Sequence, residues 1–169
     1  MISPAGTGYR AEPSRVFGLP SMIEIPHRLI EKILMHAGER HPDECCGILI
    51  GRVQGAEGVK RAEEVRRTEN AEIHGRDSYL IHGREFLSAD RAARSRGLEI
   101  IGFYHSHPGC PSIPSERDHA RAWQGYSYLI VSLRENGMPE CRSWALDADG
   151  RRLREEEIRE IFEDGSGGK

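Results

Sequence analysis

The chain has 169 residues, 37% of them apolar and 30% charged, a composition that suits one soluble globular domain and excludes a disordered segment or a mini-fold needing a metal to hold its core. Lysine plus arginine number 24 against 27 acidic residues, a net charge of −3, which speaks against a general nucleic-acid binder, because such proteins carry a strong basic field. Cys45, Cys46, Cys110 and Cys141 form neither a CxxC pair nor a dense disulfide scaffold, no apolar run is long enough to span a membrane, and the first residues lack the basic start and apolar core of a signal peptide. Cytoplasmic residence, with no membrane and no nucleic acid among the partners, is the resulting expectation.

Residues 1–21, rich in Gly, Pro, Ser and Ala, read as a flexible leader or added segment, with Met22 as an alternative start. One domain then spans 22–162, and the Gly-rich 163–169 reads as a flexible tail. Within the domain, Pro26 suits the first turn of a helix over 26–40, whose Leu29, Ile30, Ile33, Leu34 and Ala37 share one face; His41-Pro42 stops it. The spacing predicts a core strand over 45–53, with Gly47 and Gly51 weakening it or permitting close approach, and a second strand over 59–68. A short strand over 78–82 and a helix over 84–95, ended by Gly97, come next. The apolar run over 98–104 is a strand entering His105. Ser115 opens a helix, 126–133 and 141–146 are strands, and the acidic stretch 154–162 reads as a terminal helix. The fold class expected is α/β, a mixed and mainly antiparallel central sheet flanked by helices.

The chemistry concentrates in His105-Ser-His107-Pro108 and Ser115-Glu-Arg-Asp118. Side chains at i and i+2 of an extended segment point to one side, so His105 and His107 can converge on one ion. Pro111, Ser112 and Pro114 return the chain in a tight loop, and Asp118 lies in the first turn of the helix that Ser115 opens. Two imidazoles and a carboxylate are three protein ligands, leaving a fourth position for water, the arrangement that zinc hydrolysis requires. Glu44, just before the 45–53 strand, is the candidate base, and Ser115 the candidate donor to the metal water or to the developing oxyanion. Other readings stand beside these. Ser115 with Asp118 is also a capping arrangement, the two histidines can be structural, and Glu44 can be a strand-edge residue.

This constellation closely resembles that of the JAMM, or MPN-plus, zinc metallopeptidase family, over roughly 22–162. The family pattern of a preceding glutamate, HxHP, seven residues and SxxD is met by Glu44, His105, His107, Pro108, Ser115 and Asp118. The resemblance implies the cytidine-deaminase-like JAMM fold, one Zn2+ held by His105, His107 and Asp118, water activation by Glu44 and assistance from Ser115. The segments around 42–47, 99–108 and 123–128 look like the compact bacterial branch. That likeness implies hydrolysis after the terminal glycine of a ubiquitin-like sulfur carrier with a Gly-Gly end, as a cysteine adduct. Removal of a ubiquitin-like protein from lysine, or a catalytically silent binding scaffold, are the alternatives. A homo-oligomer is compatible with the sequence.

Several residues have competing roles. Cys110 reads as a loop residue, a redox-sensitive gate or a fourth ligand that would close the site. Cys45 and Cys46 look structural rather than nucleophilic. His119 reads as a surface or supporting residue, His74 and His82 as rim residues, Trp123, Tyr126, Tyr128 and Trp144 as packing, and Asn70 as a residue positioning substrate. The Arg61/Arg66/Arg67 and Arg91/Arg94/Arg96 groups are a solvated surface or a patch for an acidic protein. The Gly167-Gly168-Lys169 end invites, weakly, a reading as a self-processing site. The HxE/PCxxC set of zinc deaminases, HExxH and phosphate-binding loops are all missing.

Overall fold

The computed structural model describes residues 22–72, 78–133 and 138–162; the expected leader, the expected tail with its Gly-Gly-Lys end, and His74 lie outside the described residues. In chain order the elements are β1 (Met22–Pro26), α1 (His27–Arg40), β2 (Cys46–Gln54), β3 (Val59–Thr68), α2 (Gly83–Arg94), β4 (Glu99–Pro108), α3 (Glu116–Arg121), β5 (Ser127–Leu133), β6 (Glu140–Leu146) and β7 (Leu153–Ile161). None of the described helices is long and apolar enough to cross a membrane.

The strands do not form the expected central sheet flanked by helices. They close into a barrel in the order β1-β3-β2-β4-β5-β6-β7, and β7 completes the ring by pairing parallel to β1. Two segments account for the correction. Met22–Pro26 is a strand whose Ile23 and Ile25 are wholly buried. The stretch expected as a terminal helix is the strand Leu153–Ile161, aligned from Met22↔Glu157 to Pro26↔Ile161. Closure removes the free edges that an open sheet would present to other chains. The expected strand over 78–82 is also corrected. Its Tyr79 and Ile81 are buried, which explains the apolar alternation, but the segment is held by Asn70 rather than by a ladder. Asn70 Nδ2 donates to the Ser78 carbonyl (3.0 Å), and the Leu80 amide donates to Asn70 Oδ1 (3.0 Å).

Two apolar clusters lie on opposite sides of the wall. Leu49, Ile101, Leu129 and Val131 join Ile23, Ile25 and the buried face of α1 (Leu29, Ile30, Ile33, Ala37), so α1 fills the inner side of the curved sheet. Ile48, Ile50, Ile100 and Phe103 point the other way and are covered by Ala89 and Ala93 of α2. A bulge between Leu49 and Ile50 moves β2 from opposite Gly102 to opposite Ile100; the extra residue lets Ile101 and Tyr104 face the same side despite their odd spacing. Gly102 has a packing reason, since a Cβ there would lie 2.2 Å from the Ser127 carbonyl oxygen of β5.

The inner side also holds a polar group. Lys60 Nζ donates to Ser127 Oγ (3.0 Å) and pairs with Glu156 Oε1 (3.3 Å), while Ser143 Oγ donates to Glu156 Oε2 (2.6 Å). Four strands are tied through one buried carboxylate. An acid at Glu156, where a strand pattern calls for an apolar residue, is what gives β7 its helix-like sequence.

Candidate metal centre and active-site cleft

β4 carries the histidines because it runs between antiparallel β2 and parallel β5, fixed at Cys46↔His105 and at His107↔Ser132. His105 and His107 therefore project from one face, while the intervening Ser106 points back and accepts a hydrogen bond from the Cys45 amide (2.8 Å). The Ser106 amide in turn donates to the Cys45 carbonyl (3.0 Å). That exchange anchors the residue next to Glu44, and continuing the antiparallel register from Cys46↔His105 sets Glu44 across from His107. The Glu44 carbonyl also accepts from Asn70 Nδ2 (3.2 Å). Asn70 thus ties the segment that carries Glu44 to the 78–80 backbone.

Asp118 arrives from the other side on α3. Ser115 is the N-cap: its Oγ accepts from the Asp118 amide (3.2 Å) and donates to Asp118 Oδ2 (2.6 Å), and its own amide donates to the same oxygen (2.7 Å). The capping reading is thus correct, and it also aims the Asp118 carboxylate. His105 Nε2 lies 3.5 Å from Asp118 Oδ1, His107 Nε2 lies 3.9 Å from Asp118 Oδ2, and the two Nε2 atoms face each other at 3.1 Å. Donors to a tetrahedral ion at about 2.0–2.1 Å sit roughly 3.3 Å apart, so this triangle is close to the size a single ion needs.

The tautomers agree with that reading. His107 Nδ1 lies 2.9 Å from the Pro111 carbonyl, which can only accept; the proton is on Nδ1 and the Nε2 lone pair points into the cluster. His105 is almost completely buried, and its ring stacks on Tyr79 with centroids 4.3 Å apart. Its Nδ1 has no hydrogen-bond partner among the described residues, so stacking fixes the ring. Burial drives the His105 pKa well down, with the Asp118 charge opposing and His107 assisting, which leaves the neutral imidazole a ligand must be. For Asp118, burial works against ionisation, but His105, the two bonds from Ser115 and then His107 prevail and hold its pKa below the ordinary value. Together these residues can hold a metal ion.

His107 and Asp118 border a cleft of about 310 Å³ whose walls also include Glu44, Ser78, Tyr79, Pro108 and Ser115. Every sequence-predicted site residue except the deeper His105 is among the cleft's lining residues. Cys110 lines the cleft and is exposed, but it is not among the ligand atoms that cluster. Burial first of all pushes the Cys45 thiol up to about 11 and the Cys141 thiol to about 12, which removes them as nucleophiles. His119 Nδ1 accepts from the Leu153 amide (3.1 Å) and so pins β7 to α3, confirming a supporting place. Trp144 Nε1 donates to the Ser112 carbonyl (3.1 Å), tying the loop after His107 to the barrel wall. The sequence reading missed Tyr79 as the platform for His105 and the Pro111 carbonyl as the partner of His107; the proline-rich return was the available signal for the second.

Comparison with known proteins agrees with this geometry. Residues 26–147 match the model for prokaryotic homologs of the JAB domain. A desampylase of Haloferax volcanii is 37% identical over 122 residues, covering 69% of this chain and 84% of that protein. The CysO-cysteine peptidase of Mycobacterium tuberculosis is 32% identical over 119 residues, 70% of this chain and 78% of its own. A protein of Desulfitobacterium hafniense, solved in solution, superimposes with a TM-score of 0.74 at 35% identity over 84% of this chain and 94% of that one. The chain belongs to the prokaryotic JAB-domain family.

Proposed function

We propose that this protein is a zinc peptidase that hydrolyses the amide bond after the C-terminal glycine of a ubiquitin-like sulfur-carrier protein and releases cysteine. The observation that supports it most is the clustering of His105, His107 and Asp118 at the base of a cleft that Glu44 also lines; the CysO-cysteine peptidase among the relatives favours the cysteine adduct. Held by His105, His107 and Asp118, zinc would supply a Lewis acid that polarises the scissile carbonyl and makes water acidic enough to attack at neutral pH.

The chain's own groups do the rest. Glu44 takes one proton from the attacking water while the water oxygen bonds to the glycine carbonyl carbon. Ser115 Oγ, on the cleft wall, turns its proton from Asp118 toward the carbonyl oxygen as that oxygen becomes negative. Protonated Glu44 then passes its proton to the nitrogen as the C–N bond breaks, leaving a carrier carboxylate and free cysteine. Pro108, Pro111 and Ile113 line the cleft, and a tail with no side chains is the least hindered beside them. The four cysteines are free thiols, in keeping with a reducing, cytoplasmic setting.

The test presents the zinc-loaded protein with a carrier–cysteine adduct and a carrier–lysine isopeptide and follows product masses. Carrier regeneration from the cysteine adduct is expected, with E44Q slower by about 100-fold or more. Full activity in E44Q would remove Glu44 from the chemistry, and cleavage of the lysine conjugate alone would make the protein an isopeptidase.

A further inference from the structure

Two cationic side chains in the cleft are not used by this mechanism. Arg117 and Arg121 both line it. They stand one turn apart on α3, the helix whose first turn carries Asp118, so one rigid element would hold both a metal ligand and a pair of guanidinium groups. Elsewhere in the fold many arginines pair with a carboxylate: Arg52 with Glu63, Arg67 with Glu39, Arg96 with Glu64 and Arg159 with Glu24. On α3 itself, Glu116 pairs outward with Arg152 (2.7 Å), and Asp118 turns its oxygens to Ser115 and the histidines. Arg117 and Arg121 have no hydrogen bond or ion pair among the described residues and are exposed.

We propose that Arg117 and Arg121 bind the free α-carboxylate of the residue that leaves, so that the cleft selects a carrier glycine joined to the α-amine of a single amino acid. The inference rests on the amide-hydrolase reading above and sharpens its substrate class. In such an adduct the carboxylate sits one carbon from the departing nitrogen, and so must lie at the edge of the reaction centre, in the cleft that these two arginines line. In a lysine isopeptide the departing nitrogen is at the end of a long side chain, and the matching position holds only methylenes. A guanidinium fork recognises a carboxylate through paired charge-assisted hydrogen bonds, and it stays charged at every working pH.

The experiment compares a carrier–cysteine adduct with the same carrier joined to cysteinamide, which differs only in the missing carboxylate charge. For the wild-type zinc form, kcat/KM should favour the free acid by about tenfold, carried mainly by KM. In R117Q/R121Q that ratio should fall toward one, with R117K/R121K between. Binding of both adducts to E44Q, followed by calorimetry, should show the same preference and the same loss when R117Q/R121Q is added. A wild-type ratio near one, or a ratio that survives in R117Q/R121Q, would overturn the assignment. So would an equal loss on both adducts, which would mean that the arginines hold the carrier body. If neither adduct is turned over, the hydrolase reading has failed, and the calorimetric ratio still decides whether the carboxylate is bound here.

Discussion

Replacing Ser115 by alanine separates two roles that one hydroxyl can play. Its Oγ accepts from the Asp118 amide at 3.2 Å and donates to Asp118 Oδ2 at 2.6 Å, whereas the 2.7 Å bond from the Ser115 amide survives the substitution. Loss of the cap alone costs about 1 kcal/mol. The bond to the carboxylate, charge-assisted but next to solvent, adds about 1 kcal/mol more, below the range for dry sites. Two consequences follow for S115A. The urea midpoint of the metal-free protein should fall by the equivalent of about 1–2 kcal/mol. Zinc affinity, measured by competition with a chromophoric chelator, should fall about tenfold or more, because Asp118 loses one of the groups that aim it and keep it ionised. S115T should recover most of both. Kinetics at saturating zinc then isolate what is left, and a further drop in kcat of about 100-fold is the size expected for a lost oxyanion donor. If S115A binds zinc within about twofold of wild type, the hydroxyl does not orient Asp118, and the reasoning from the capping box to the metal site is wrong.

Other perturbations test the scaffold. K60M should cost about 3–5 kcal/mol in urea denaturation because it strands the buried Glu156 carboxylate; K60M/E156L should recover most of that, and a mild K60M would refute the buried pair. G102A should cost about 3 kcal/mol or prevent folding, since its Cβ would meet the Ser127 backbone, whereas G38A, with nothing within 4 Å, should stabilise α1 by about 0.5–1 kcal/mol. His36 is buried against the Tyr104 hydroxyl (2.9 Å), and burial, with Arg67 and Arg40 assisting, lowers its pKa from 6.5 to about 4. Between those values the unfolded chain binds the proton and the folded one does not, so His36 contributes stability at neutral pH that is lost as pH falls from about 6.5 to about 4, up to about 3 kcal/mol in all. H36Q should flatten the stability–pH curve in that window; an unchanged slope would count against the buried neutral imidazole.

The convergence of His105, His107 and Asp118 was legible because its geometry is local. Same-face projection of His105 and His107 follows from strand alternation, and the aim of Asp118 follows from a capping pattern only four residues long. The Glu44 position depended on strand pairing, yet the register needed is a short extension of Cys46↔His105. Barrel closure was not legible, because it depends on partners more than 130 residues apart, such as Ile23 and Ile158. The run Arg154-Glu-Glu-Glu157 is made of helix formers, and the one that faces inward, Glu156, is satisfied by Lys60 and Ser143 from other strands. No window of sequence carries that information. The segment around Tyr79 was misassigned for a related reason: Tyr79 is buried by its apolar cluster and its stack on His105, not by a ladder.

Closure also changes how a substrate tail can be held. Strand addition needs an unpaired edge, and β1 to β7 pair around the whole ring. The remaining openings are where one strand outruns its neighbour. β2 pairs with β4 only as far as Cys46↔His105, while β5 accompanies β4 on to Pro108↔Leu133. On its β2 side, the end of β4 beyond Ser106 therefore faces the cleft instead of a ladder partner, next to His107 and across from Glu44. A short extended tail laid there would be bound by the strand that carries His105 and His107, so the register of the tail and the position of the scissile carbonyl would be set by the same backbone. A rigid barrel wall rather than a mobile sheet edge would then decide where the bond is cut.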